Sequence, residues 1–503
     1  MSDDGRPSRR GTRPSRAAKA PKTPKPPRAP KAPKQPRQPT PAKASGLSRA
    51  VVDRTGADGR SYRGDIQGLR AIAVIVVIAA HAVVPGFSGG FAGVDIFFVV
   101  SGFLITQLII SGNSRDNGFS LATFYARRAR RIIPAASLVL AVTVVASIVY
   151  FNFIDALDAT RDALWAAFFA ANIRFGTQGV DYFSLEDSAS PLQHYWSLAV
   201  EEQFYLVWPV VIALALLVTR RRRRPDAAPL GLLTVLVLLG GGASFAWSVH
   251  RTMVEPTAAY FSTLTRAWEL AIGALVALIV IAGRTLSRRW LTEPLALAGI
   301  VGIGYTVVVY DESMAFPGYE AALPVLSAAA LLIAAANPSS RPTISRVLGT
   351  TLLRRVGDWS YSLYLWHWPL IVIPQVSMGR TLTPTETLIA VLLTFQFAYL
   401  TYRYVEQPFR TATFWRPRGR GLVLYPLSLV MVLPLVFGGN LWAQRLGTER
   451  GSDPAVSAAA FGVRGDLVKG LVRASVLAGQ NSTAIPSDLT PNLIAKQYST
   501  FPD

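Results

Sequence analysis

The chain of 503 residues contains no cysteine, and only 16% of its residues are charged. The absence of cysteine excludes disulfides, thiolate metal sites and thiol nucleophiles. The histidines are few and lack the short spacing of metal ligands, so no metal site is predicted; they are His81, His194, His250 and His367. Hydrophobic residues make up 51% of the chain. This balance is typical of membrane proteins with several spans rather than of soluble domains.

The net charge of +21 is concentrated near the amino terminus. Residues 1–43 hold 13 Lys or Arg and two Asp, which accounts for 11 of the excess positive charges. The same segment is rich in Pro and Ala, so we expect residues 1–60 to form a disordered basic cytoplasmic tail. This tail either binds anionic membrane lipid or only enforces topology. It lacks the apolar core of a signal peptide, and nucleic acid is not an expected partner.

Apolar segments recur along most of the chain and predict an all-α polytopic membrane protein. We expect eleven spans near residues 66–84, 91–111, 132–151, 197–218, 229–248, 267–283, 293–310, 320–336, 357–376, 384–403 and 421–442. The arginine-rich loops then lie on one side of the membrane, which predicts a cytoplasmic amino terminus and an extracytoplasmic carboxyl terminus. Residues 160–175 are apolar but carry three charged side chains, so we interpret them as an outer-face or re-entrant helix.

The first predicted span carries Arg70 and His81, separated by ten residues that are all Ala, Ile or Val. An arginine against hydrocarbon costs about 2.5–3.5 kcal/mol, so a charge inside a span is a functional hypothesis. Eleven steps of about 100° return to nearly the same helix face, roughly 16 Å further along the axis. The pattern predicts a site with a fixed cation and a titratable imidazole. Asp95, which follows a glycine-rich loop, either orients His81 or caps the second span.

The fourth predicted span opens with His194 and Trp196 and continues with the adjacent carboxylates Glu201 and Glu202. Adjacent helical residues point about 100° apart, so one of the two carboxylates is expected to face the bundle, at the depth of His81. Stabilisation by the helix dipole is the other explanation for the pair. The surrounding aromatic residues, Trp196 included, form either an interfacial belt or a wall on which a sugar stacks.

The ninth predicted span has a polar face, because Ser360, Tyr364 and His367 lie on one helical stripe. His367 is either a structural histidine that forms hydrogen bonds or a substrate contact. In the sixth span, Arg266 and Glu269 have the spacing of an i,i+3 ion pair.

These motifs together resemble the acyltransferase-3 family of membrane O-acyltransferases, which O-acetylate bacterial surface glycans. The matching blocks, in order, are Arg70-x10-His81, FAGVDIFFVVSGFLI at 91–105, FYARRARR at 124–131, WSLAVEEQFY at 196–205, SYSLYLWHWP at 360–369 and YVEQP at 404–408. The resemblance implies a ten-helix acyltransferase core in residues 61–412 and an eleventh transmembrane helix within 413–450. Residues 451–503 are similar to an extracytoplasmic linker or a truncated SGNH-like domain, without that domain's Gly-Asp-Ser block.

The resemblance also implies an activity and a location. It implies an O-acetyltransferase of the bacterial inner membrane that takes acetyl from cytoplasmic acetyl-CoA. The acceptor would be a hydroxyl of a cell-surface polysaccharide or lipid-linked glycan precursor on the outer face. His81 would take the hydroxyl proton or attack the thioester, and Arg70 would hold the CoA phosphates or the pantetheine arm. Catalytic roles are expected for His81, Arg70, Asp95 and Glu201, and substrate-binding roles for Arg127, Arg128, Arg130, His194, Trp196, Glu202, Ser360, Tyr364 and His367.

Other interpretations of the same residues remain. The arginines at 127–131 either meet the CoA nucleotide or only follow the positive-inside rule. A transporter of a lipid-linked glycan or acyl donor would also carry an intramembrane charge, although we find no internal inverted repeat in the sequence. A membrane scaffold that binds lipid or a partner through its basic tail would leave His81 unexplained.

Overall fold

A computed structural model of the chain describes residues 63–113, 120–178, 189–221, 229–415 and 417–448. All regular secondary structure in these ranges is helical, as the all-α prediction requires. The predicted basic tail at 1–60 and the predicted linker at 451–503 lie outside the described residues.

The described ranges contain sixteen α-helices. In chain order they are α1 (Gly64–His81), α2 (Gly93–Asn113), α3 (Leu121–Tyr150), α4 (Phe153–Ala167), α5 (Ala171–Gln178), α6 (Tyr195–Arg221), α7 (Leu230–Val254), α8 (Pro256–Phe261), α9 (Thr263–Ile281), α10 (Arg289–Val309), α11 (Ala322–Ala334), α12 (Thr343–Leu348), α13 (Thr351–Met378), α14 (Pro384–Thr401), α15 (Gln407–Thr411) and α16 (Arg418–Thr448). A 3₁₀ turn at Ser88–Ala92 precedes α2, and a π-helical turn at Tyr402–Glu406 joins α14 to α15.

Nine helical segments in the described part are long and apolar enough to cross a membrane, and they belong to α1, α2, α3, α6, α7, α9, α10, α14 and α16. This result supports a multi-pass membrane protein. Two predicted spans fall outside the nine: α11 has only 13 residues, and α13 carries the polar stripe. The count of eleven and the orientation stay predictions. The apolar segment at 160–175 is divided between α4 and α5.

Side-chain caps fix where several helices begin. The Ser120 side chain accepts a hydrogen bond from the Thr123 amide ahead of α3, and Asn152 accepts from two amides at the start of α4. Thr383 and Glu386 form a capping box at α14. Such caps satisfy amide groups that have no partner within the helix.

Two helix pairs approach so closely that only glycine fits at the contact. A Cβ atom on Gly357 of α13 would lie 1.9 Å from the carbonyl oxygen of Gln67 in α1. In the same way, a Cβ on Gly102 of α2 would lie 1.9 Å from the carbonyl oxygen of Leu270 in α9. The first contact positions the site, because α1 and α13 run side by side from Gln67 and Gly357 towards their histidines.

The outer surface of the helices is apolar. Large side chains such as Leu239 on α7 and Val430 on α16 are mostly exposed. Exposed apolar surfaces of this extent are unusual for a protein in water and are expected where helices face lipid. The buried interior holds both aliphatic side chains and the polar groups described below.

Candidate active site

Three histidines from distant parts of the chain meet at one end of α1. The Nδ1 atom of His81, the last residue of α1, lies 3.1 Å from the Nε2 atom of His367 in α13. The Nδ1 atom of His367 lies 2.6 Å from the carbonyl oxygen of Tyr364. His194 packs against the same ring, with 5.8 Å between the His194 and His367 ring centroids. We name His81, His194, Ser197, Tyr364 and His367 the histidine cluster.

Tyr364 connects α13 to the start of α6 within this cluster. Its hydroxyl lies 2.6 Å from the Ser197 hydroxyl and 3.1 Å from the carbonyl oxygen of His194. Tyr364 and His367 were predicted to share a face of one helix, and the structure confirms that both point to the same cluster. Ser197 was not predicted as a site residue, although it lies in the block that opens with Trp196.

His194, which directly precedes α6, is only 1% exposed. Neither of its ring nitrogens has a hydrogen-bond partner in the part of the chain that the structure describes. Burial of this ring disfavours its charged form. Despite the three histidines, no group of metal-ligating side chains in the described ranges is arranged to hold a metal ion.

The other end of α1 carries charged groups. Arg70 is buried, and its Nη1 donates to the Gln67 side chain at 3.0 Å. The carboxylates of Glu406 and Glu201 act on it electrostatically without forming an ion pair. Arg131 in α3 is likewise without an ion-pair partner among the described residues. We name the set Arg70, Arg128, Arg131, Glu201, Glu202, Glu406 and Arg410 the arginine cluster.

Two members of the arginine cluster are held by definite contacts. Arg128 lies 3.5 Å from a carboxylate oxygen of Glu202, and its guanidinium stacks 3.8 Å above the Tyr205 ring. Glu406, in the π-helical turn, pairs with Arg410 at 3.1 Å. These pairs leave Arg70 and Arg131 as the cations of the cluster that have no carboxylate within ion-pair distance in the described part.

The position of Glu201 differs from the prediction. We expected one of the two α6 carboxylates at the depth of His81, but Glu201 accepts a hydrogen bond from Ser101 at 2.7 Å and acts electrostatically on Arg70. The physical reason is that α6 begins at Tyr195, so that Glu201 lies about 9 Å along the helix from that start. Glu201 and Glu202 therefore belong to the arginine cluster.

Asp95 lies in a separate buried ion cluster. Arg266 Nη1 is 3.0 Å from an oxygen of Asp95 and 3.0 Å from an oxygen of Glu269, which confirms the predicted i,i+3 pair. All three side chains are at most 1% exposed. The Trp196 ring lies beside the guanidinium, 5.4 Å from its carbon. Asp95 is thus engaged by Arg266, and the residues that the structure brings to His81 include His367 and Trp368.

The remaining predicted residues are Arg127, Arg130 and Ser360. Arg127 is exposed on α3, and Arg130 donates to the carbonyl oxygen of Ala126 at 3.3 Å. Ser360 is fully buried, and its hydroxyl has no hydrogen-bond partner within the described ranges. Ser101, which binds Glu201, was not predicted as a site residue; its signal is its position in the block at 91–105.

Comparison with known proteins found a matching family model and several curated relatives. The model of the acyltransferase domain family, Acyl_transf_3, matches residues 63–403. The putative peptidoglycan O-acetyltransferase YrhL of Bacillus subtilis is 34% identical over 367 residues, which cover 70% of this chain and 56% of the relative. The O-acetyltransferase OatA of Staphylococcus aureus is 32% identical over 384 residues, with coverages of 74% and 62%. The peptidoglycan O-acetyltransferase OatA of Listeria monocytogenes is 33% identical over 366 residues, with coverages of 71% and 57%.

The chain thus spans about three-fifths of the length of these curated relatives. No solved structure matches the chain significantly.

Proposed function

The chain belongs to the acyltransferase domain family of membrane proteins, and on this premise we propose that it is an O-acetyltransferase that moves acetyl from acetyl-CoA to a hydroxyl of a cell-envelope glycan. Curated relatives are named for O-acetylation of peptidoglycan, which supports this class of acceptor. The observation that carries the proposal is α1 itself. One helix connects a buried arginine that lacks an ion pair in the described part to a half-buried imidazole about 16 Å away.

The arginine cluster is the proposed binding site for the anionic acetyl donor. Arg70 and Arg131 have guanidinium donors that are not directed at a carboxylate in the described part. Arg128 and Arg410 lie near enough to act on Arg131 electrostatically. Guanidinium groups suit phosphates because they present several donors in a planar fork. The pantetheine arm of CoA would then extend along α1 and carry the thioester towards His81.

The histidine cluster is the proposed site of acetyl transfer. A neutral His81 takes the proton of the acceptor hydroxyl while the hydroxyl oxygen attacks the thioester carbonyl. The carbon–sulfur bond breaks, and the CoA thiolate leaves with the proton. In a covalent variant, the imidazole nitrogen attacks the thioester carbonyl and the CoA thiolate leaves. The acceptor hydroxyl then attacks the acetyl carbonyl, the carbon–nitrogen bond breaks, and the hydroxyl proton passes to the released imidazole and from there to the thiolate. Both routes require an unprotonated nitrogen on His81.

We place the arginine cluster on the cytoplasmic side, where acetyl-CoA is made available, and the histidine cluster towards the outer face. The arginines near the start of α3 support this orientation, because basic loops are retained in the cytoplasm. The acceptor would then be a surface glycan or its lipid-linked precursor in the outer leaflet.

The test is CoA release and glycan acetylation by the purified protein in liposomes. The variants are His81→Ala and Arg70→Gln. Their matched controls are His250→Ala and Arg284→Gln, which change exposed residues outside both clusters. We expect only the first two to lose activity. Transbilayer movement of a lipid-linked glycan without CoA release, or full activity of folded His81→Ala, would overturn the proposal in favour of transport or another site.

A further inference from the structure

The hydrogen bonds of His367 define where its proton lies. A backbone carbonyl oxygen can only accept a hydrogen bond, so the nitrogen 2.6 Å from the Tyr364 carbonyl must carry the hydrogen. That nitrogen is Nδ1 of His367. The ring is fully buried, and it has no carboxylate partner among the described residues, which disfavours the charged form. In the neutral ring, Nε2 is therefore an acceptor only.

The contact with His367 also defines which nitrogen of His81 carries a proton. Nε2 of His367 lies 3.1 Å from Nδ1 of His81, so Nδ1 of His81 must be the donor of this bond. The ring planes differ by 18°, and the ring centroids are 5.2 Å apart. This separation is close to the N···N distance plus the two ring radii. The rings thus lie edge to edge in nearly one plane, which is the favourable direction for an N–H···N hydrogen bond.

We infer that His367 is a positioning residue that holds His81 in the tautomer with its proton on Nδ1, and that Nε2 of His81 is the nitrogen that reacts. The tautomer of a histidine is set by the hydrogen bond of its other nitrogen. The chain His81, His367 and the Tyr364 carbonyl thus takes the place that a carboxylate holds in many catalytic triads. The catalytic part of the inference rests on the proposed function, whereas the tautomer does not.

The arrangement has a consequence for the proton. When Nε2 of His81 takes the hydroxyl proton, the ring becomes an imidazolium and its Nδ1–H remains donated to His367. The hydrogen-bond acceptor, Nε2 of His367, is uncharged. It therefore orients the His81 ring without the strong attraction that a carboxylate would have for the extra proton. The proton at Nε2 is then passed to the leaving thiolate, and His81 returns to its first state. In the covalent variant, the same Nε2 forms the bond to acetyl.

The tautomer is tested directly by ¹⁵N solid-state NMR of histidine-labelled protein in liposomes. We expect the His81 signals, identified by their loss in His81→Ala, to show a protonated Nδ1 and an unprotonated Nε2. In His367→Phe, which keeps an aromatic ring, we expect His81 to lose the protonated Nδ1. A wild-type His81 with its proton on Nε2, or a tautomer unchanged in folded His367→Phe, would overturn the inference. This readout does not depend on the enzyme activity.

Two amide variants separate positioning from a structural role. In His367→Gln, the side-chain oxygen reaches the former Nε2 position and still accepts from His81. In His367→Asn, the amide reaches the former Nδ1 position and keeps only the hydrogen bond to Tyr364. We expect kcat to fall less than tenfold in the first and about 10²-fold in the second, with KM for acetyl-CoA unchanged in both. The opposite order would assign His367 a structural role only.

Discussion

At one end of α1, Arg70 lies among arginines and carboxylates, whereas at the other end the described neighbours of His81 are aromatic rings and hydroxyl groups. The difference is consistent with two tasks, which are holding a charged substrate group and moving a proton. A charged substrate group is held by fixed charges, whose sign does not change in use. A proton is moved by a group that can be neutral before the step and charged after it, and strong charges beside such a group would fix it in one state.

The Arg266 cluster shows what a buried arginine looks like when the protein itself satisfies it. Its guanidinium contacts two carboxylates at 3.0 Å and the carbonyl oxygen of Tyr260 at 3.1 Å. Arg70 has a neutral amide at 3.0 Å and no such carboxylate contact in the described ranges. We therefore expect Arg266 to stabilise the fold and Arg70 to be available to a ligand.

The largest expected effect is on turnover at the histidine end. Replacing His81 with Ala removes the proposed proton acceptor, so we expect kcat to fall about 10²–10⁴-fold. Donor binding at the arginine end should be unchanged, because the two residues are about 16 Å apart. Kinetics of CoA release and titration of acetyl-CoA binding check the two parts. A comparable loss of donor affinity in this variant would contradict the separation of the two ends.

A large effect on stability, not on chemistry, is expected at the Arg266 cluster. Arg266→Met leaves the buried carboxylates of Asp95 and Glu269 without their cation, and breaking such a cluster costs about 3–5 kcal/mol. Glu269→Gln is the matched control, since it keeps one cation with one carboxylate and should change the unfolding free energy little. Denaturation in detergent measures both. Equal losses in the two variants would show that the charge balance of the cluster does not matter.

A smaller effect is expected for Arg70→Gln. Loss of hydrogen bonds from a charged donor costs about 1.5–3 kcal/mol, which corresponds to about a 10–100-fold higher KM for acetyl-CoA. Arg70→Lys should lie between wild type and Gln, because a lysine retains the charge but not the planar fork. Steady-state kinetics at varied acetyl-CoA check this. A fall in kcat at constant KM would instead connect Arg70 to the chemical step.

The features of this arrangement that lie within a single helix could be predicted from the sequence. The apolar run near 66–84 predicted α1 closely, and helical spacing placed Tyr364 and His367 on one face. The i,i+3 pair of Arg266 and Glu269 was also read correctly. In each case the interacting residues are near one another in the chain, so the helix geometry alone relates them.

Contacts between helices could not be predicted in the same way. His81 and His367 are 286 positions apart, and their meeting depends on the close approach of α1 and α13 at Gly357. The depth of Glu201 depends on where α6 begins, and helix ends are the least certain feature of a sequence pattern. Asp95 was considered with His81 because they are near in sequence, but its partner Arg266 comes from α9.

The smallest expected effect concerns the hydroxyl of Tyr364, which joins α13 to α6 inside the neutral histidine cluster. Tyr364→Phe removes this hydroxyl, but Ser197 keeps its own hydrogen bond to the His194 carbonyl oxygen at 3.3 Å. We therefore expect a loss of about 1 kcal/mol in stability and a turnover within a few-fold of wild type. Denaturation and CoA release measure the two effects. A loss of turnover as large as that of His81→Ala would instead make the hydroxyl part of proton transfer, because a structural hydrogen bond between neutral groups cannot account for it.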